Sequence, residues 1–473
     1  MSILNNFLFY DILFLIIFTI WVIWFLYTRK HNLKREGIIY LYRTKLGIKF
    51  INYVGKKYRK TIKISKYLSV ATGFILMISI LFLFLMTLYT YVKFPQITDI
   101  VKAPPLLPLI PYFPSIFGLQ SFFPPLYFTY WIIAILVVAV VHEFSHGIFA
   151  KYHNVKIKST GFAFLGPILG AFVEPDEIKM AKKKNFEQMS ILSAGVFANI
   201  ITAGIFFLFL WGVFVFAFEP SGIIIYSYAS SLVPINEIKS INGIEFDGNF
   251  IFDDNENFVS INSNDKNYLI PPKILREQIK YNEQNNLGIL RLYFDSPALK
   301  NNLSGAISKI DGNKIKSIED LNLILSVKKP GDNIIIETIE KNKVNTYEII
   351  LVENPINKEK AFLGININAV DSKGFRRIVS NTLFFKEPAI YYSEKNNFLV
   401  FIYYLIWWIV VINFFVALFN MLPVGILDGG RFFYLAILSL TKSEKISKAV
   451  YKWIVIILLF ILFALLLSWI IAL

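Results

Sequence analysis

The chain has no cysteine among its 473 residues and only four histidines. The first absence excludes disulfides, iron–sulfur clusters and thiolate zinc sites. Any metal has to be held by His, Asp, Glu or main-chain oxygen. Charge is scarce too: 17% of residues are Asp, Glu, Lys or Arg, against about 25% in a soluble domain. Hydrophobic residues reach 55% and come in long blocks, which places the chain in the membrane class. The net charge of +15 does not argue for a nucleic-acid partner. Much of the excess lies in loops beside apolar runs, where Lys and Arg set topology. The first apolar run lacks a basic leader and a small-residue cleavage site, so no cleavable signal peptide is expected.

Six candidate spans are read at about 6–27, 67–92, 127–150, 188–217, 397–420 and 449–472. Each supplies roughly 20 mainly apolar residues, enough for the hydrocarbon core. Between the first two, from Arg29 to Lys66, lie thirteen Lys or Arg and a single acid, Glu36. Short basic loops stay in the cytoplasm, so the N-terminus is expected outside. Alternation then puts the loop with Lys179 and Lys182–Lys184 in the cytoplasm, together with the segment carrying Lys442, Lys445, Lys448 and Lys452. The polar stretch 220–396 falls outside. Segment 93–126 is apolar but carries eight prolines, which forbid a regular helix. It is expected in the outer interface or against the bundle, as a structural plug or a substrate gate.

His142-Glu143-Phe144-Ser145-His146 follows an unbroken apolar run, Trp131–Val141. Residues four apart share a helix face, so both imidazoles can grip one ion. Glu143 can reach water beside that ion as general base. Ionisable groups at such a depth are functional candidates by default. His153 lies about 16 Å along the helix from His142, too far to share the ion, and is read as an interfacial residue. His31, in the basic loop, is read as solvated. A carboxylate candidate for the third ligand is Asp428, within Asn420-Met-Leu-Pro423-Val-Gly-Ile-Leu427-Asp428-Gly-Gly430. Its Pro and Gly neighbours break the helix, and irregular backbone at membrane depth survives only where protein or water satisfies it. Two His and one carboxylate leave the fourth position of zinc open for water.

The pairing of His142-Glu143-x-x-His146 with Asn420-x-x-Pro423 and Leu427-Asp428-Gly429 resembles the site-2 protease family of intramembrane metalloproteases. The resemblance implies Zn²⁺ on His142, His146 and Asp428 and catalysis by Glu143. Two further stretches resemble the family. Gly161–Pro175, punctuated by Gly and Pro, reads as a hairpin or re-entrant loop. Near Gly170 it would offer a substrate an edge for strand addition, unless it is purely structural. Ser193–Asn199 matches a family Gly-Pro-x-x-Asn stretch, with Val196 in the place of the Pro. Asn199 and Asn420 are candidates to orient substrate or steady an oxyanion, with helix–helix contact as the alternative role. Asn420 ranks first and is taken as catalytic, Asn199 and Gly170 as substrate-binding.

Residues 220–370 turn polar, with short β-rich runs and tight turns at Asp311-Gly312 and Pro330-Gly331. This stretch resembles a PDZ domain of the protease-associated type, a filter for substrates or else a spacer. Glu237–Ile244 looks like a fragment of a second copy or an interrupted first half, and the insert 248–287 has no clear match. The expected fold is therefore an α-helical polytopic membrane protein of about six transmembrane helices with an inserted α+β PDZ-like domain. The expected segments are 1–92, two helices with the basic loop; 93–126, Pro-rich; 127–218, first half of the metalloprotease core; 219–370, PDZ-like; 371–396, linker; and 397–473, second half of the core. The function read is zinc-dependent hydrolysis of peptide bonds in or near transmembrane segments of other membrane proteins. The rival is an inactive relative that binds membrane partners through the PDZ-like domain. A metal transporter is disfavoured, since there is one metal motif and no inverted repeat. Serine catalysis through Ser145 is disfavoured because no histidine lies in a different span.

Overall fold

A computed structural model describes residues 3–37, 39–94, 109–116, 123–165, 168–264, 266–340, 343–367 and 386–472. The chain divides into two compact units: 1–214 with 398–473, and 215–397. Most of the Pro-rich segment and of the stretch read as a linker, residues 95–108, 117–122 and 368–385, lies outside the described residues.

The first unit begins with helix α1 (Ile3–Thr28). Strands β1 (Leu33–Glu36) and β2 (Ile39–Thr44), then helices α2 (Ile48–Lys57) and α3 (Arg59–Lys93), follow. Helix α4 (Phe128–Tyr152) leads into strands β3 (Ile157–Leu165) and β4 (Ile168–Pro175). Next come helices α5 (Asn185–Leu192) and α6 (Ala194–Ala217), parted by the turn residue Ser193. After the second unit come α7 (Asn397–Asn420), α8 (Asp428–Thr441) and α9 (Glu444–Ala472). Among the described residues, six helical stretches are long and apolar enough to cross a membrane: α1, α3, α4, α5–α6, α7 and α9. Their outward faces carry large apolar side chains such as Trp24, Ile78, Leu208, Trp211 and Phe460. Only a hydrocarbon surround makes such faces favourable.

The basic loop is not merely a loop. Its strands β1 and β2 extend the hairpin β3–β4 into one antiparallel sheet of order β1-β2-β3-β4. Tyr42 pairs with Phe162, and Phe162 with Ala171. Helix α2 buries Ile51 against the end of α4 and the hairpin, beside Phe149, Ile157 and Val173. The segment after α1 and the segment after α4 therefore lie on one side. At the opposite ends of these helices Asp11 of α1 meets Phe128 and Thr129 of α4. Helices α1 and α4 therefore run in the same direction.

Around α4 the bundle packs in two places. Trp131, Ala134 and Val138 face Trp408 and Ile412 of α7, while Ile80, Val196, Met421 and Phe432 join α3, α6 and α8. The described ends of the Pro-rich segment lie against the bundle. The indole of Trp131 donates to Leu109 O, and that of Trp408 to Pro125 O.

The second unit holds two larger sheets and two two-stranded ones. Strands of four residues or more are β5 (Phe218–Ile224), β6 (Ser230–Pro234), β7 (Ile238–Ile241), β8 (Val259–Ser263), β9 (Lys266–Ile270) and β10 (Ile289–Phe294). They continue as β11 (Ala306–Ile310), β12 (Asn333–Glu340), β13 (Lys343–Ile350) and β14 (Ile390–Glu394). One sheet runs β13-β12-β11-β5-β14, with helix Ile318–Ser326 between β11 and β12. The other runs β6-β10-β9-β8-β7. The insert without a sequence match supplies β8, β9 and helix Pro272–Asn285, the centre of that second sheet. The two larger sheets share one device. Asn242 and Asp311 each bond main chain to main chain with a neighbouring strand and accept with Oδ1 from the same partner residue, Ser260 and Ile335 respectively, all at 2.8 Å. The sheets are not simple copies, because a loop stands after β7 where the helix Ile318–Ser326 stands after β11.

Candidate metal centre

His142 and His146 lie one turn apart on α4, and their rings point the same way. Asp428 is the first residue of α8, with Leu427 as extended N-cap. The glycines after it allow this placement. A Cβ on Gly429 would fall 2.3 Å from Met421 C, and one on Gly430 2.4 Å from Val424 O. Only glycines let α8 start against the Met421–Gly425 turn. Three donor atoms then converge. His142 Nε2 and His146 Nε2 are 3.0 Å apart, and Asp428 Oδ2 lies 3.1 and 3.3 Å from them. A tetrahedral ion with bonds of about 2.0 Å needs donors about 3.3 Å apart. The donor set, two imidazoles and one carboxylate, fits zinc. It is the one such group of three among the described residues.

What holds the rings was not visible in the sequence. The Nδ1–H of His146 donates to the carbonyl of Ile191 at 2.7 Å. A carbonyl only accepts, so Nε2 of a neutral His146 keeps its lone pair toward the site. Behind His142 stands Gly195, where a Cβ would sit 2.5 Å from His146 Nε2 and 2.6 Å from His142 Cε1. No other residue leaves room for both rings.

Glu143 faces β4. Its Oε2 accepts the Val173 amide at 2.9 Å. As β4 is an edge of its sheet, this amide points away from β3. Alternate residues of an antiparallel strand face the partner and the open side in turn. Ala171 and Val173 therefore present their main chain outward, while Gly170, three residues from Val173, bonds inward to β3. Gly170, read from the sequence as a substrate contact, thus sits opposite Ala163 in the β3–β4 ladder.

Asn199 differs from expectation. It is wholly buried, with Nδ2 3.2 Å from His142 Nδ1, and does not line the cavity beside the two rings. Asn420 does line the cavity of about 450 Å³ that holds His142, Glu143, His146 and Asp428, and so does Arg431, which sequence reading passed over. The guanidinium of Arg431 donates to Gln188 Oε1 at 2.9 Å. His153 stands at the C-cap of α4, as a residue at the end of the span, and is buried. Its Nε2 lies 2.9 Å from Ser190 Oγ, and Glu187 lies 3.6 Å from its Nδ1.

The family model of peptidase family M50 matches residues 130–465. The chain belongs to peptidase family M50. The matched span runs from α4 into α9 and includes every residue of the centre just described. An uncharacterized protein of Methanocaldococcus jannaschii is 34% identical over 195 residues, which are 40% of this chain and 48% of that protein. The chain thus spans about half the length of that relative. The PDZ domain of an SdrC-like protein from Listeria monocytogenes is 26% identical over 15% of this chain and 77% of its own, with a TM-score of 0.14. A score that low says nothing about the fold of the second unit.

Proposed function

We propose that this M50 member is a multi-pass zinc endopeptidase that hydrolyses peptide bonds in or near the transmembrane segments of other membrane proteins. The observation that carries the reading is the convergence of His142, His146 and Asp428 within 3.3 Å, with Glu143 beside them in a cavity. Bound zinc supplies a Lewis acid that makes water a nucleophile near neutral pH and polarises a carbonyl. The chain's own groups do the rest. His142, His146 and Asp428 hold the ion, and Glu143 keeps Oε2 on the Val173 amide so that Oε1 is free to take the proton of the attacking water. The same carboxyl then hands that proton to the leaving amine. Asn420, at the cavity wall, orients the scissile carbonyl. The open edge of β4 offers Ala171 and Val173 to an extended substrate.

The basic segment 29–66 and the sheet it joins are assigned to the cytoplasmic side by the charge rule. The centre opens toward that side of the cell membrane. Residues 220–396 then lie outside and filter the outer parts of substrates. The inactive-scaffold alternative loses ground because no ligand and no Glu143 is missing. The test is cleavage of a panel of single-span membrane substrates by the purified protein in liposomes, beside Glu143→Gln, with zinc measured in both. Cleavage by the parent alone, with zinc in each, supports the reading. Absence of zinc from both would sink it.

A further inference from the structure

Helix α6 presents Gly195 and Asn199 one turn apart to the same ring, His142. The glycine makes room for it and the asparagine is the partner of its Nδ1. Asn199 Oδ1 is buried and has no donor. A buried amide oxygen without a donor costs about 1–3 kcal/mol, so its presence calls for a reason. The tautomers supply one. His146 is fixed by the Ile191 carbonyl, but His142 is not. When Nε2 of His142 carries the proton, Nδ1 accepts from the Asn199 amide nitrogen. When Nε2 is a ligand, the proton sits on Nδ1 and needs an acceptor. Asn has both groups on one rotatable amide, so a half-turn about its last bond serves either tautomer.

We infer that Asn199 is a positioning residue of the metal centre: it turns its amide oxygen to the Nδ1–H of His142 and so keeps Nε2 available to the ion. The inference rests on the zinc reading above and adds a residue whose effect is on affinity. The experiment is a competition for zinc between the full-length protein in detergent and a chelating indicator, comparing the parent with Asn199→Leu, Asn199→Asp and Asn413→Leu. Asn413 is a second buried asparagine with an idle oxygen, on α7 and outside the centre. Asn199→Leu should weaken zinc binding by roughly 10–100-fold, the usual effect of losing a partner of a ligating His. Asn199→Asp keeps an acceptor and should bind as the parent does or tighter, and Asn413→Leu should bind as the parent does. If Asn199→Leu does not fold, Asn199→Ser, whose hydroxyl falls short of the ring, takes its place. Parent-like affinity in the Leu or Ser variant would overturn the inference, as would an Asp variant as weak as they are. A parent that binds no zinc would instead overturn the metal reading.

Discussion

Asp11 accepts two hydrogen bonds from Thr129, one from its amide at 2.8 Å and one from its hydroxyl at 2.5 Å. Its other oxygen takes the Phe128 amide at 2.8 Å and the Tyr112 hydroxyl at 2.6 Å. A carboxylate on α1 thus caps the start of the helix that carries both histidines, where the N-cap residue Tyr127 offers no side-chain bond. The cap lies before the segment matched by the family model, so α1 is tied to the family core through it. Replacing Asp11 by Leu orphans two amides at about 1–3 kcal/mol each. Asp11→Leu should lower the thermal unfolding midpoint in detergent by several degrees, and Asp11→Asn, which keeps one acceptor, by less. A Leu variant that melts with the parent would refute the capping role.

Gly195→Ala tests the room behind the rings. The new Cβ meets His146 Nε2, His142 Cε1 and His142 Nδ1, all within 2.7 Å. These atoms belong to rings held by Asp428 and by the Ile191 carbonyl, so they have little freedom to retreat. Zinc content and cleavage should both be lost while helicity stays. Retention of stoichiometric zinc by Gly195→Ala would show that the rings sit elsewhere.

The two larger sheets of the second unit contain their own pH control. Burial alone would raise the Asp311 carboxyl, but the Lys328 ammonium at 2.7 Å and the Ile335 amide outweigh it and hold it below the usual carboxylate range. A depressed carboxylate contributes stability above its unfolded value of about 3.9, and that contribution is lost as pH falls below it. Asn242 makes the same bond to Ser260 and does not titrate. Hydrogen exchange, corrected for intrinsic rate, should show the Ile335 amide losing protection below about pH 4 while the Ser260 amide does not. Equal slopes at the two amides would refute the assignment.

How much of this could be read beforehand follows from what a residue type can signal. His142, Glu143 and His146 form a local pattern whose spacing implies its geometry. Asp428, 286 positions from His142, becomes legible only through its acid in apolar surroundings and the resemblance it completes. The Ile191 carbonyl and the Val173 amide are main-chain groups with no residue signature at all. Gly195 works by lacking a side chain, which resembles any helical glycine until the rings are placed. The strands β1 and β2 read as charge, because β1 pairs only with β2 and it is β2 that joins β3, more than 100 positions away. Asp11 was findable, being the one acid in the first apolar helix, and a buried acid in a span warrants attention.

The proposed strand addition at the edge of β4 would constrain the substrate. An α-helix hides its main-chain groups in i→i−4 bonds, whereas strand addition needs them free and extended. Local unwinding must therefore precede cleavage, and Gly or Pro near the scissile bond should speed it relative to a Leu-only target helix. On the enzyme side, Ala171→Pro removes one outward amide while leaving the inward ladder intact, a change that edge strands tolerate. Turnover of membrane substrates should fall by about fivefold, the worth of one hydrogen bond of about 1 kcal/mol, with zinc content unchanged. Matched rates on Gly-containing and Leu-only helices, measured in the same liposomes, would mean that the substrate is not taken as a strand and that the β4 edge has another use.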